Sequence, residues 1–171
     1  MQEMVIYGVS FDLVGKQPIV LLKTAEGNRF LPIWIGHPEA AAILMKLQGA
    51  ATPRPLTHDL MTEVLNQLDV QIVRIAVTEL KENTFHATIT IQQNGDELEI
   101  DSRPSDAIAL AVRAEAPSFA ADDVIDESAI EFEGEEITEA DIEEKGSEFK
   151  QFLEGVTPED FEAAAEEDEP S

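Results

Sequence analysis

From Val5 to Phe11 the side chains alternate, with Val5, Tyr7, Val9 and Phe11 in one register and Ile6, Gly8 and Ser10 in the other. A period of two predicts a β-strand. Gly15 to Pro18 turns the chain, and the apolar run Ile19 to Leu22 suits a buried strand. Glu26-Gly27-Asn28 is a second turn leading into Phe30 to Ile35, so the three segments predict a meander. Pro32 has no N–H to give a ladder and therefore belongs at an edge or a bulge.

The period then changes. Gly36-His37-Pro38-Glu39 predicts a helix start, with Pro38 at the first position and Glu39 beside the positive end of the helix dipole. Ala40 to Leu47 continues this helix and Gly49 ends it. It is apolar almost all round, with Lys46 its one charge after Glu39, so more than one face needs covering. That predicts a homo-oligomer, or burial between the sheet and the next helix. After a loop with two prolines, Thr57 is the expected cap of a second helix. Its Leu60, Val64, Leu65 and Leu68 form an apolar stripe of the kind that faces a core.

Val70 to Leu80 returns to strand character, and Glu82-Asn83-Thr84 turns it into a cleanly alternating strand. There Phe85, Ala87, Ile89 and Ile91 are expected inward and His86, Thr88 and Thr90 outward. Asn94-Gly95 is a strong hairpin signal before a third strand, Glu97 to Ile100. From Ile100 to Arg113 the chain passes from strand to helix within four residues. Pro104 suits the helix start, Ser105 and Asp106 can accept hydrogen bonds from first-turn N–H groups, and Ile108, Leu110, Ala111 and Val112 supply an apolar face. After Pro117, Ser118 to Ala120 predicts a short strand and Asp122 caps one helical turn. Three strands, two helices, three strands and a helix make an α+β fold: antiparallel or mixed sheet meanders packed with three main helices. The segments Val5–Leu68 and Val70–Val112 each run from strands to a polar helix start, the order an internal duplication would leave.

Composition divides this picture near Asp126. Residues 1–126 read as one domain, and residues 127–171 as an acidic tail, partly helical, with 163–171 disordered. Thr138 with Asp141, and Thr157 to Asp160, resemble helix starts in that tail. The chain carries a net charge of −25, but residues 1–117 hold 9 Lys+Arg against 15 Asp+Glu, and residues 118–171 hold 2 against 21. The acidity that argues against polyanion binding therefore belongs mostly to the tail. The absence of cysteine excludes disulfides, thiolate metal sites and a cysteine nucleophile. No apolar run approaches the ~20 residues of a membrane span, and no signal-peptide pattern opens the chain. The expectation is a cytoplasmic protein with no membrane partner.

Candidate chemistry gathers at two similar helix starts, Arg54-Pro55-Leu56-Thr57-His58-Asp59 and Arg103-Pro104-Ser105-Asp106. An arginine fork beside free N–H groups would hold a phosphate or carboxylate, which makes Arg54, Arg103, Thr57 and Ser105 candidate substrate-binding residues. The same arginines can instead lock the loops, Arg103 with Asp106 or Asp101 and Arg54 with Asp59, and the sequence leaves both readings open. Of the three histidines, His58 is the best candidate acid or base, while His86 lies on an outward strand face and His37 can cap its helix. Asp59, Asp101 and Asp106 complete the candidate catalytic set, and Glu39, Asp101 and Asp106 could hold Mg²⁺ or Mn²⁺ through oxygen ligands, although no spacing selects a metal. There is no Gly-rich phosphate loop, nucleophile elbow or zinc-histidine pair. The shared chemistry of the two helix starts predicts that Arg54 and Arg103 face each other across one pocket.

Three runs, Leu31 to Ala40, Arg54 to Leu60 and Asp101 to Leu110, together resemble the bifunctional nuclease domain family, in order and over about residues 1–126. The resemblance implies a compact α+β domain that cleaves both DNA and RNA, and so a nucleic-acid partner. Its polar signature matches Glu39, Arg54, His58, Asp59, Asp101, Arg103 and Asp106. The alternative is a non-catalytic module whose polar helix starts hold an anion, a nucleotide or a partner's carboxylate, with the acidic tail as regulator. The tail lies outside the resemblance.

Overall fold

The computed structural model of the chain describes residues 1–11 and 16–131. The expectations for the tail beyond Glu131 lie outside the described residues. The fold is α+β: one eight-stranded mixed sheet with four helices among the described residues. In chain order these are β1 (Gln2–Phe11), β2 (Pro18–Thr24), β3 (Arg29–Trp34), α1 (His37–Leu47), α2 (Thr57–Gln67), β4 (Gln71–Lys81), β5 (Thr84–Gln93), β6 (Asp96–Ser102), α3 (Pro104–Ala114), β7 (Ser118–Ala120), α4 (Asp122–Ser128) and β8 (Ile130–Glu131).

Two antiparallel meanders, β1-β2-β3 and β4-β5-β6, stand on either side of the short β7, giving the order β6-β5-β4-β7-β1-β2-β3-β8. β7 pairs antiparallel with β1 and parallel with β4. The two halves thus run outward from β7 in mirrored order, and each ends in a helix that returns to the middle. Asn94 and Gly95 both have positive φ, 54° and 89°, which a two-residue hairpin requires, and they set Gln93 opposite Asp96. Pro32 pairs with Leu21 of β2, while β8 reaches only Arg29 and Phe30, so Pro32 lies where no strand needs its missing N–H.

α3 is the centre of the molecule. Ala107 to Ala111 are all buried, and the helix packs on β4 and β5 with α1 and α2 on its flanks. Alanines at 107, 109 and 111 let these neighbours approach closely, while Ile108 and Leu110 fill the space above Ile75, Val77 and Ala87 in the same core. Full burial of each of the two larger side chains stabilises the fold by ~1.5–3 kcal/mol.

Several local expectations are corrected. α1 begins at His37, so Pro38 is its second residue; its all-round apolar pattern resolves into a buried side, Ala40, Ala42 and Ile43, and an exposed end at Leu47. Thr57 does not cap α2: the cap position is Leu56, whose N–H donates to Asp59 Oδ2 at 2.9 Å. The α2 stripe does not face the core either, since Leu60, Val64 and Leu68 are exposed and only Leu65 packs inward. The inward face is His58, Thr62 and Leu65: His58 is tied to Asp106 of α3, and Thr62 Oγ1 donates to the His58 carbonyl within α2. Thr90, expected outward, is buried on β5 between Arg74 of β4 and Glu99 of β6, whose longer side chains flank it.

Candidate active site

α1, α2 and α3 each carry a carboxylate at their third residue: Glu39, Asp59 and Asp106. An acid suits that place because the first-turn N–H groups and the helix dipole both favour negative charge. Tertiary packing brings the three helices together, and two arginines of α3 and its cap join them.

Arg103, the cap residue of α3, donates from Nε to Asp106 Oδ2 at 2.8 Å and from Nη2 to Glu39 Oε1 at 2.9 Å. The two carboxylates hold the guanidinium still more firmly protonated than usual, Asp106 contributing most and Glu39 next. Its side chain is 65% exposed, and Nη1 makes no hydrogen bond with any described residue. The other oxygen of Asp106 accepts from His58 Nε2 at 2.9 Å. Glu39, Arg103, Asp106 and His58 therefore form one line of polar contacts across α1, α3 and α2. Gly36 makes room for it, since a Cβ there would fall 2.3 Å from Glu39 Oε2.

A second tie runs deeper. Arg113, two turns after Asp106 and so on the same face of α3, has a side chain only 5% exposed. It donates from Nε to Asp59 Oδ1 at 2.7 Å, from Nη1 to the Ala109 carbonyl at 2.8 Å and from Nη2 to the Ala42 carbonyl at 3.1 Å. One guanidinium thus staples all three helices. The Asp59 carboxyl is held below the usual carboxylate range, first by the Leu56 N–H and then by Arg113, against an opposing contribution from burial.

The sequence candidates separate on this geometry. Glu39, His58, Asp106 and Arg103 are brought together, with Asp59 beside them on α2. Ser105 is buried next to Asp106 and Thr57 is exposed next to His58. Arg54 is exposed and makes no ion pair with a described residue; only its carbonyl is used, by Thr52 Oγ1 at 2.8 Å. The α2 and α3 helix starts do meet, but through His58 rather than Arg54, and Asp59 pairs with Arg113 instead of Arg54. Asp101 lies exposed on β6 opposite Thr88, outside the line of contacts. Among the described residues no group of three or more His, Asp or Glu is spaced to hold a metal ion. The cation joining Glu39 to Asp106 is the Arg103 guanidinium, so these residues as arranged do not fit a resident Mg²⁺ or Mn²⁺.

Arg113 escaped the sequence reading. Its signal was a lone charge near the end of an otherwise apolar helix, seven residues after Asp106 and on the same face.

The sheet, the three helix starts and the carboxylate–arginine–histidine line define an α+β domain with one shared polar site. The bifunctional nuclease domain matches residues 20–133, and the chain belongs to that family. An uncharacterised protein of Mycobacterium tuberculosis is 37% identical over 95% of this chain and 99% of its own length. Bifunctional nuclease 1 of Oryza sativa subsp. indica is 26% identical over 57% of this chain, and Bifunctional nuclease 1 of Arabidopsis thaliana 25% identical over 58%. The matched parts are only 31% and 32% of those plant proteins. No helix among the described residues is long and apolar enough to cross a membrane.

Proposed function

We propose that this protein is a phosphodiesterase acting on cytoplasmic DNA and RNA, with the Glu39–Arg103–Asp106–His58 line as its reactive centre. The observation that carries the reading is the His58–Asp106 contact at 2.9 Å, with Arg103 on the other oxygen of the same carboxylate. Asp106 fixes the tautomer and orientation of the imidazole, as the orienting acid does in other histidine-based sites. The free Nη1 of Arg103 is a donor for a phosphate oxygen, so a scissile group held there would lie beside His58. Kinship with proteins named bifunctional nucleases supports the substrate class. Divalent-metal assistance enters this reading only as an ion arriving with the nucleic-acid phosphate, and no step is assigned to it.

The experiment is cleavage of DNA and RNA by purified protein, with and without EDTA, beside an Arg103→Ala/Asp106→Ala double variant. Cleavage that the variant loses supports the reading, and equal cleavage by the variant assigns the signal to a contaminant. A second reading, a non-catalytic anion- or nucleotide-binding module, is favoured by one observation: Arg103 is already shared by two carboxylates. Nucleotide binding without cleavage would select it. Self-association through the exposed apolar row of α2 is part of the proposal under either reading.

A further inference from the structure

A cavity of about 410 Å³ opens beside Arg103, between the end of β3, the β4–β5 hairpin and the start of α3. Phe85, Leu80 and Ile33 belong to its apolar side and Arg103 and Ser105 to its polar side, while Trp34 lines its edge and also packs against Ile19 and Leu21. The volume lies near the lower end of the ~300–1,000 Å³ range of ligand pockets, a size for one small planar group with its sugar. We propose that this cavity receives the base of a single unpaired nucleotide, with the adjoining phosphate on Arg103 Nη1. The inference rests on the phosphodiesterase reading of the neighbouring site and names its substrate class as single-stranded nucleic acid.

Charge alone does not favour a polyanion here. Arg103 is balanced by Glu39 and Asp106, and residues 1–131 hold 9 Lys+Arg against 20 Asp+Glu. Affinity must therefore come from the base, which every nucleotide offers as a flat π-face. Base–aromatic stacking corresponds to roughly five- to 150-fold in affinity per base and tolerates any sequence. A paired base keeps both faces inside its stack and its edge against its partner, so a duplex cannot fill the cavity without losing that pairing.

Trp34 is the one tryptophan of the chain and stands at the edge of this cavity, so its emission can report a ligand seated there. Full-length protein in EDTA is titrated with a phosphorothioate single strand, with the same sequence as a duplex, and with inorganic phosphate. The single strand is expected to change Trp34 emission, while the duplex and phosphate leave it unchanged at equal concentration. Phe85→Leu, which keeps an apolar side chain where Phe85 packs against the core, is expected to weaken single-strand binding about tenfold with its thermal melt retained. Raising salt from ~50 to ~200 mM should cost less than about tenfold, far below the 10³–10⁵ of proteins held by many phosphate contacts. An equal response to duplex or to phosphate overturns the proposal, as does unchanged affinity in folded Phe85→Leu. If that variant does not fold, acrylamide quenching of Trp34 in the unsubstituted protein decides: the single strand must protect it, and no protection overturns the proposal. Cleavage of unmodified single strands without any Trp34 response would reject the slot and leave the phosphodiesterase reading standing. A Trp34 response with no cleavage would reject the catalytic reading and leave the slot standing.

Discussion

His58 Nε2 and Asp106 Oδ1 lie 2.9 Å apart although 48 residues separate them in the chain, and this contact turns the inner face of α2 toward α3. The same contact gives the imidazole one defined orientation. His58→Gln is therefore expected to lower kcat by roughly 10²–10⁴-fold, the usual worth of a positioned acid or base, with a smaller change in KM. Asp106→Asn should fall by a similar factor, and the double variant should fall little further, because the pair acts as a unit. Turnover unchanged in both single variants, with only the melting temperature lowered, would make the contact a packing tie.

Gly36 offers a way to move Glu39 without replacing it. An added Cβ would meet Glu39 Oε2, the free end of a flexible side chain, so the carboxylate swings away from Arg103 while the backbone stays. Gly36→Ala should cost about 1 kcal/mol or less in stability, as expected for alanine at a helix cap. It should reduce kcat/KM several-fold, measured beside thermal melts. Undiminished activity would show that the Glu39–Arg103 contact is not used.

Much of the fold was legible because alternation and turn chemistry are local. The two meanders, the Asn94-Gly95 hairpin, the edge position of Pro32 and the polar start of α3 all follow from near neighbours in sequence. What was not legible depends on contacts between distant elements. The row Leu60, Val64 and Leu68 reads as a core face, yet His58 and Asp59 find partners on α3 and rotate the row outward. A periodicity argument weighs apolar area and has no means to include a charge-assisted bond to another helix. Arg54 and Arg103 look equivalent in sequence. Only Arg103 acquires two acids, because α1 happens to return beside α3, while Asp59 is taken by the buried Arg113.

The Asp59–Arg113 tie sets an acid limit on the helix cluster. The Asp59 carboxyl is depressed in the folded chain, so its contribution is complete above the ordinary carboxylate range, ~3.9, and is lost as pH falls through the lower folded value. Melting temperature should accordingly decline from about pH 4 downward. Asp59→Asn keeps an acceptor for the Leu56 N–H but leaves Arg113 without its counter-charge. We expect a cost of about 2 kcal/mol at pH 7, below that of a fully buried pair because Asp59 is about a third exposed, and a shallower acid decline. An acid decline of the same steepness in Asp59→Asn would assign it to other carboxylates, Asp122 beside the Met1 ammonium among them.

The proposed self-association would use the outward row of α2. Leu60, Val64 and Leu68 lie four residues apart along one side, with Met61 next to them, and all four are exposed. Val64→Glu combined with Leu68→Glu should convert an oligomer into a monomer by light scattering at micromolar concentration, with the melt of the monomer preserved. A monomer mass for the unsubstituted protein removes the oligomer from the proposal.

The tail sets the final prediction. Residues 132–171 hold 2 Lys+Arg against 16 Asp+Glu, so their removal takes most of the negative charge with few residues. The cut belongs after Glu131 rather than after Asp126. β8 pairs Ile130 with Phe30 and Glu131 with Arg29, and Arg29 also binds Asp126 at 2.7 Å, so an earlier cut would strip a strand and the end of α4. Screening acts over ~8 Å at physiological salt, which lets a tethered acidic segment compete for Arg103 at close range but not repel nucleic acid from afar. Removing 132–171 should therefore raise single-strand affinity most at low salt, with the difference shrinking as salt rises. The comparison is a binding titration of full-length and truncated protein at two salt concentrations, with matching melts to show that the truncated chain is folded. Equal affinity at low salt would leave the tail with no part in substrate access and would direct attention to basic partners of its own.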